Sequence, residues 1–201
     1  MGRPSAKQRK PYDLDGIIDV AVRVFLERGY DGSSLEDIAR AAKITKSSIY
    51  YHVASKEELL SRGGGRAFDA LLAVFDERNA TDGTACDRLR HVLRRTVEIT
   101  VEKLPEVALL LRVRGNTPAE KSVVERRRSF DHMIADIVIA AIREGSIRSD
   151  VDPRLTTRLL FGMLNSIAEW YRPDGALSAA DIAETVFKII FDGLTSKAKD
   201  A

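Results

Sequence analysis

The sequence has one cysteine, one tryptophan and only 6% aromatic residues. The lone Cys86 can close no intramolecular disulfide and build no cysteine-rich metal site, so a reducing cytoplasm is the expected location. No apolar run approaches the ~20 residues of a bilayer span, so no membrane partner is expected. The basic opening MGRPSAKQRK leads into no apolar segment of the secretory kind. Sustained period-two alternation is missing, which argues against a sheet. A large charge of one sign is missing too, since the net charge is +2. What is there, 44% hydrophobic and 31% charged residues over 201 positions, is a globular composition. The length suits one large domain, or a small one fused to a medium one.

The small net charge hides an asymmetry. Residues 1–12 carry Arg3, Lys7, Arg9 and Lys10 with no acid, so the rest of the chain sums to −2. A flexible basic arm of this kind suits a polyanion, and it serves equally as a solubilising tail. Arg3, within GRP, has the setting of a minor-groove hook.

Periodicity and caps predict an all-α chain of nine helices. Ile17, Ala21, Val24 and Phe25 mark the first, closed by Gly29. Ser34 caps a short second helix, LEDIARAA, and Asp37 stands where a capping box needs it. Thr45 caps KSSIYYH, and Ser55 with Glu58 opens the fourth. Longer helices follow, one of them from Pro118 to about Glu144. Asp152-Pro153 and Ser178 open the last two. The spacing divides the chain into a basic arm (1–12), a three-helix unit (13–62) and a larger helical part (63–201).

Residues 33–59 carry the recognisable chemistry. Two short helices, 34–42 and 45–52, joined by a tight turn have helix-turn-helix spacing. Ile38, Ala39, Ala42, Ile44 and Ile49 hold them together. Thr45, Lys46, Ser47, Ser48, Tyr50, Tyr51 and His52 are left pointing away from the core. Hydroxyls reach phosphates or base edges, and a lysine supplies charge. Lys56 stands at a helix N-terminus, which also favours an anion. Tyr50 and Tyr51 fit half-buried core tyrosines as well, and only one of two adjacent residues faces a groove squarely.

The string SSLEDIARAAKITKSSIYYHVASKEELL resembles the DNA-binding signature of the TetR family of bacterial transcriptional repressors, by motif over residues 15–62. The resemblance implies a recognition helix at 45–52. It implies phosphate contacts from Lys46, Tyr50 and Lys56, and base or sugar contacts from Thr45, Ser47, Ser48, Tyr51 and His52. Ser34 would be a backbone contact. Two positions depart from the family: Lys43 stands where glycine is frequent, and Val53 where an aromatic often follows the histidine. A non-glycine residue at Lys43 costs ~1 kcal/mol if its φ is positive.

The larger part is expected to bind a ligand and to dimerise. The 118–144 helix is apolar on more than one side, so it is sandwiched or lines a cavity. Candidate pocket residues are Phe68, Leu72, Phe75, Leu111, Phe130, Met133, Ile137, Phe161, Asn165 and Trp170. The last two helices are expected to form a twofold four-helix bundle through Leu160, Leu164, Ile167, Val186, Phe187 and Ile190. Gly162-x-x-x-Ser166 suits close helix contact. Gly63-Gly64-Gly65 reads either as a weak link between the two parts or as a loop or close-packing site. Arg126-Arg127-Arg128 has the look of an anion site, but consecutive helical residues point 100° apart, so at most one or two can face inward and a solvated face is the preferred reading. His132 and Asp136 supply too few ligands for a metal site, and no metal or cofactor is expected.

The segment AEWYRPDGALSAADIAETVFKIIFDGL resembles the C-terminal region of TetR-type regulators that sense acyl-CoA thioesters. Together these resemblances imply a repressor that binds a palindromic operator in double-stranded DNA as a homodimer and is released by a small effector. An acyl-CoA or another apolar carboxylate ranks first, a drug-like lipophile second. The rival classes are a nonspecific DNA-architectural dimer and a small helical enzyme. Against the enzyme, G-x-S-x-G, a Walker loop, a dinucleotide glycine pattern and H-E-x-x-H are all missing.

Overall fold

The computed structural model describes residues 13–194; the basic arm and its Arg3 lie outside them. The chain divides into two compact units, one up to Gly63 and one from Gly64. Among the described residues there are ten α-helices and no strand. The expected nine omitted one, a four-residue turn of helix at Arg78–Thr81, which is too short for a periodic stripe.

The first unit holds α1 (Leu14–Arg28), α2 (Leu35–Ala42), α3 (Lys46–His52) and the start of α4 (Lys56–Ala73). Local chemistry sets the helix starts. The Asp13 carboxylate accepts from the Gly16 amide at 2.9 Å. Ser34 and Asp37 form a reciprocal capping box, and the Thr45 hydroxyl accepts from the Ser48 amide at 3.1 Å. At α4 the Ser55 hydroxyl accepts from the Glu58 amide, but the Glu58 carboxylate reaches past Ser55 to the Ala54 amide at 2.8 Å. Helix α2 packs between α1 and α3, and Ile17, Ala21, Phe25, Ile38, Ala42 and Ile49 are fully buried. Ile44, expected among the buried contacts, is only partly covered. Lys43 ends α2 with φ 57° and ψ 38°, the left-handed conformation that glycine adopts without strain.

The second unit contains the rest of α4, a 3-10 turn (Val74–Asp76), α5 (Arg78–Thr81), α6 (Ala85–Glu102), α7 (Leu104–Arg112), α8 (Pro118–Arg143), α9 (Pro153–Trp170) and α10 (Ala179–Leu194). Helix α6 is the centre of this unit and packs on α7, α8, α9 and α10. Its Leu89, Val92, Leu93 and Val97 are fully buried. Along α8, Phe130, Ile134, Val138 and Ala141 make one buried stripe. Arg127, Arg128, Asp131 and His132 make a second stripe, turned about a quarter of a circle away.

The glycine triplet forms no loop, because α4 runs unbroken from Lys56 to Ala73. A Cβ on Gly64 would lie 2.7 Å from the Leu110 Cδ2 atom, so this glycine admits α7 to close contact. Around Gly162, by contrast, no atom of the described residues lies within 4 Å of the Cβ it lacks, so no helix of this chain is in close contact there.

The residues expected at a dimer interface are buried in the single chain. Leu160, Leu164, Ile167, Val186, Phe187 and Ile190 lie between 1% and 7% exposed, inside the core of their own protomer. Both helices are apolar over a wide arc; the six lie on its buried side, with Leu160 and Ile190 lining one groove of the outer face and Ile167 and Val186 lining another. The outer arc presents Leu155, Leu159, Trp170 and Ile189, with Leu177 in the connecting turn, all 47–65% exposed.

Candidate nucleic-acid interface and effector cleft

Helix α3 is held by one fully buried side chain, Ile49, backed by Val53 just beyond its end. Thr45, Lys46, Ser47, Ser48, Tyr50 and Tyr51 are all exposed, and His52 is partly so. Tyr51 is 87% exposed and Tyr50 52%, so both rings stand clear of the core. The edge of one ring in the Tyr51–His52 pair meets the face of the other, with centroids 5.2 Å apart. The structure thus brings the α3 candidates to one outward surface.

Some of their polar atoms have internal work. Thr45 and Ser48 share a hydroxyl–hydroxyl bond of 2.8 Å within the cap. The Ser34 hydroxyl donates to the Asp37 carboxylate at 2.6 Å. Asp37 also accepts from Arg28 at 2.7 Å and from Arg40 at 3.3 Å. The Ser34 hydrogen bond, then the Ser34 amide and the two arginines, hold its carboxyl below the usual carboxylate range.

Lys56 differs from the expectation most. Its ammonium donates to the carbonyls of Tyr30 at 2.9 Å and Ser33 at 3.0 Å, and sits 4.2 Å above the Tyr30 ring. It is a part-buried tie between α4 and the α1–α2 turn, with one N–H left for an anion.

The second unit contains a polar cleft of ≈ 460 Å³ between α8 and α9. Arg127 and Arg128 come from α8, Arg154 and Arg158 from α9, with His132, Asp131 and Asn165 between them. The solvated-face reading of the arginine run therefore needs correction: Arg127 and Arg128 line this cleft. Arg126 turns elsewhere, pairing with Asp69 at 2.7 Å and lying 4.9 Å from the Phe68 ring centre. His132 and Asp136 assemble no metal site, and no group of three potential ligands exists among the described residues.

A narrow recess of ≈ 40 Å³ opens beside the cleft, sharing Arg127, Asp131, Phe161 and Asn165 with it. Phe68, Leu111 and Phe130 also line the recess, so five of the ten expected pocket residues converge here. The others do not. Leu72, Phe75, Met133 and Ile137 line neither the cleft nor the recess. Leu72, Phe75, Met133 and Ile137 are core or half-buried packing, with Phe75 edge-on to Phe130 at 5.5 Å. Trp170 is on the outer face of α9, in a groove with Leu177 and Ile189. Sequence reasoning missed Arg154 and Arg158, which lie on a different helix from Arg127 and Arg128 and make the cleft strongly basic. Burial raises the Asp131 carboxyl above its ordinary value, although Arg127, His132 and Arg158 pull it down.

An all-helical protein with a helix-turn-helix head, and a separate helical unit containing a cleft, has the build of a ligand-regulated DNA-binding protein. Residues 17–62 match the family described as bacterial regulatory proteins, tetR family, and residues 82–194 match the tetracyclin repressor-like C-terminal domain. The chain belongs to the TetR family of transcriptional regulators. It is similar to a TetR-family member from Streptomyces coelicolor A3, with 49% identity, a TM-score of 0.85, and 96% of this chain and 94% of that one covered. It is also similar to the transcriptional repressor KstR2 of Mycobacterium tuberculosis, 27% identical over 90% of this chain and 92% of that protein. A third likeness is to AibR solved with isovaleryl coenzyme A and operator DNA, at 26% identity, a TM-score of 0.76, and coverage of 89% and 97%.

Proposed function

We propose that the protein is a repressor that binds a palindromic operator as a homodimer and leaves it when an acyl-CoA thioester, or a similar anion with an apolar end, binds the second unit. The effector half of this reading rests on one observation: four arginines from two helices line a cleft that opens directly onto an apolar recess. Guanidinium groups are suited to phosphate and carboxylate oxygens, and the recess to a hydrocarbon. The isovaleryl coenzyme A bound by AibR supports the same class.

The DNA half rests on α3, with its exposed hydroxyls, Lys46 and two tyrosines. A twofold dimer presents two such helices to half-sites one turn apart. The outer face of α9 and α10 is the proposed dimer surface. Two shallow apolar grooves of ≈ 290 Å³ and ≈ 220 Å³ share Met163 and Ile189 along it.

Release requires the effector to favour a conformation with weaker operator affinity, not merely to bind. The test is to select a duplex from a random pool and compare its affinity with that of scrambled DNA at fixed salt. The reading expects a preference of ~10³-fold or more, reduced by at least about tenfold on adding a CoA thioester. Equal affinity for both duplexes would instead indicate a nonspecific architectural dimer.

A further inference from the structure

The recess beside the arginine cleft is narrow, and its lining explains how a ligand end is chosen. Thr96 and Thr100 of α6 border it, yet both hydroxyls donate to carbonyls of their own helix, at 2.8 Å to Val92 and 2.7 Å to Thr96. They therefore offer the space no free donor, and the recess is apolar despite two threonines. Phe130 and Phe161 close on one another with ring centroids 5.6 Å apart and are 4% and 8% exposed. Phe75 stands edge-on to Phe130 behind it. Lengthening the recess in that direction means moving buried rings.

At the junction of cleft and recess stand two polar side chains of α8 and α9, Asp131 and Asn165. Asp131 feels the charges of Arg127, His132 and Arg158, and burial outweighs them. A space of ≈ 40 Å³ holds about three water-sized groups.

We infer that this pair of cavities selects a short acyl chain, of about three to five carbons, on a phosphate-bearing carrier. The carrier's anionic groups would lie against Arg127, Arg128, Arg154 and Arg158. Its polar link would cross between Asp131 and Asn165, and the chain would end against Phe130. Leu111, half-buried at the edge of the recess, sets the remaining room. This inference rests on the acyl-CoA reading above and adds a length limit to it.

The test is calorimetric titration of the full chain with CoA, butyryl-CoA and lauroyl-CoA. Butyryl-CoA should bind about ten- to fiftyfold more tightly than CoA, from burial of its methylenes. Lauroyl-CoA should bind no more tightly than CoA. Leu111→Phe, which fills the recess, should abolish the advantage of butyryl-CoA over CoA. Leu111→Ala should move the preference toward longer chains. If lauroyl-CoA binds more tightly than butyryl-CoA while CoA itself binds, the length limit is wrong and the acyl-CoA reading stands. If neither CoA nor either thioester binds, both fall.

Discussion

Lys46 and Lys56 carry the same charge in the same unit, yet their surroundings assign them different work. Lys46 is exposed on α3, while Lys56 is tied to two carbonyls and a tyrosine ring. Lys46→Ala is expected to leave folding unchanged and to flatten the log–log salt dependence of operator binding by about one unit. Lys56→Ala should lower stability by about 1–2 kcal/mol, because charged hydrogen bonds and a cation–π contact are lost. Urea denaturation of the two variants checks this, and equal stabilities would show that the Lys56 tie does not hold the head together. Lys43 is the strained position of the head. Lys43→Gly should gain up to about 1 kcal/mol from the left-handed backbone, at the cost of one exposed cation. The caps and the Lys43 turn were legible from sequence because they depend on residues within four positions of one another. The Lys56 tie was not, since its partners Tyr30 and Ser33 lie on a turn more than twenty residues earlier.

Among the elements, α4 makes the sharpest demand. The triplet looks like a weak point by propensity, but Gly64 is a place of close packing against α7. Gly65 is open, with nothing within 4 Å of an added Cβ. Gly65→Ala should therefore stabilise the protein by up to ~1 kcal/mol, and Gly64→Ala should gain less or lose stability because Leu110 must shift. Thermal denaturation of the two single variants separates propensity from packing. A hinge at the triplet would show as a changed effector response in Gly65→Ala, which the packing account does not expect.

The segment before α6 is latched by charge. Glu77 accepts from His91 at 2.6 Å and from Arg95 at 3.0 Å, and Arg95 also bonds Glu98. Burial raises the Glu77 carboxyl, but the His91 and Arg95 contacts outweigh it and leave the group below its usual range. A depressed carboxylate stabilises above its unfolded value, ~4.3, and loses that contribution as pH falls through its folded value. Protection factors around residues 74–82, corrected for intrinsic exchange, should fall as pH drops below the ordinary carboxylate range, and Glu77→Gln should remove that pH dependence.

On the scale of the whole molecule, helix breadth was readable and helix direction was not. An apolar arc on α9 or α10 announces burial without saying whether a neighbouring helix or a second chain covers it. The six residues expected at the interface are buried in their own chain, four of them lining the outer grooves, and Leu155, Leu159 and Ile189 are the exposed apolar set beside them. The double variant Leu159→Glu/Ile189→Glu should therefore sediment as a monomer with an intact fold, and should lose tight operator binding. A dimer that survives these changes would place the interface elsewhere. The basic cleft was only half legible for a related reason. The arginine run reads as an anion site or a solvated face, and what decides for Arg127 and Arg128 is α9, which brings Arg154 and Arg158 opposite them.

The arginine cleft is proposed to receive the ligand that releases DNA. The most direct measurement is fluorescence anisotropy of a labelled operator titrated with butyryl-CoA, for the wild-type chain and for Arg154→Ala/Arg158→Ala. Both arginines are exposed, so the variant should fold and bind operator as the wild type does. The predicted result is release of the wild type, with at least about tenfold more ligand needed for the variant, as each lost charge-assisted contact weakens binding. Equal release of both proteins at the same ligand concentration would contradict it.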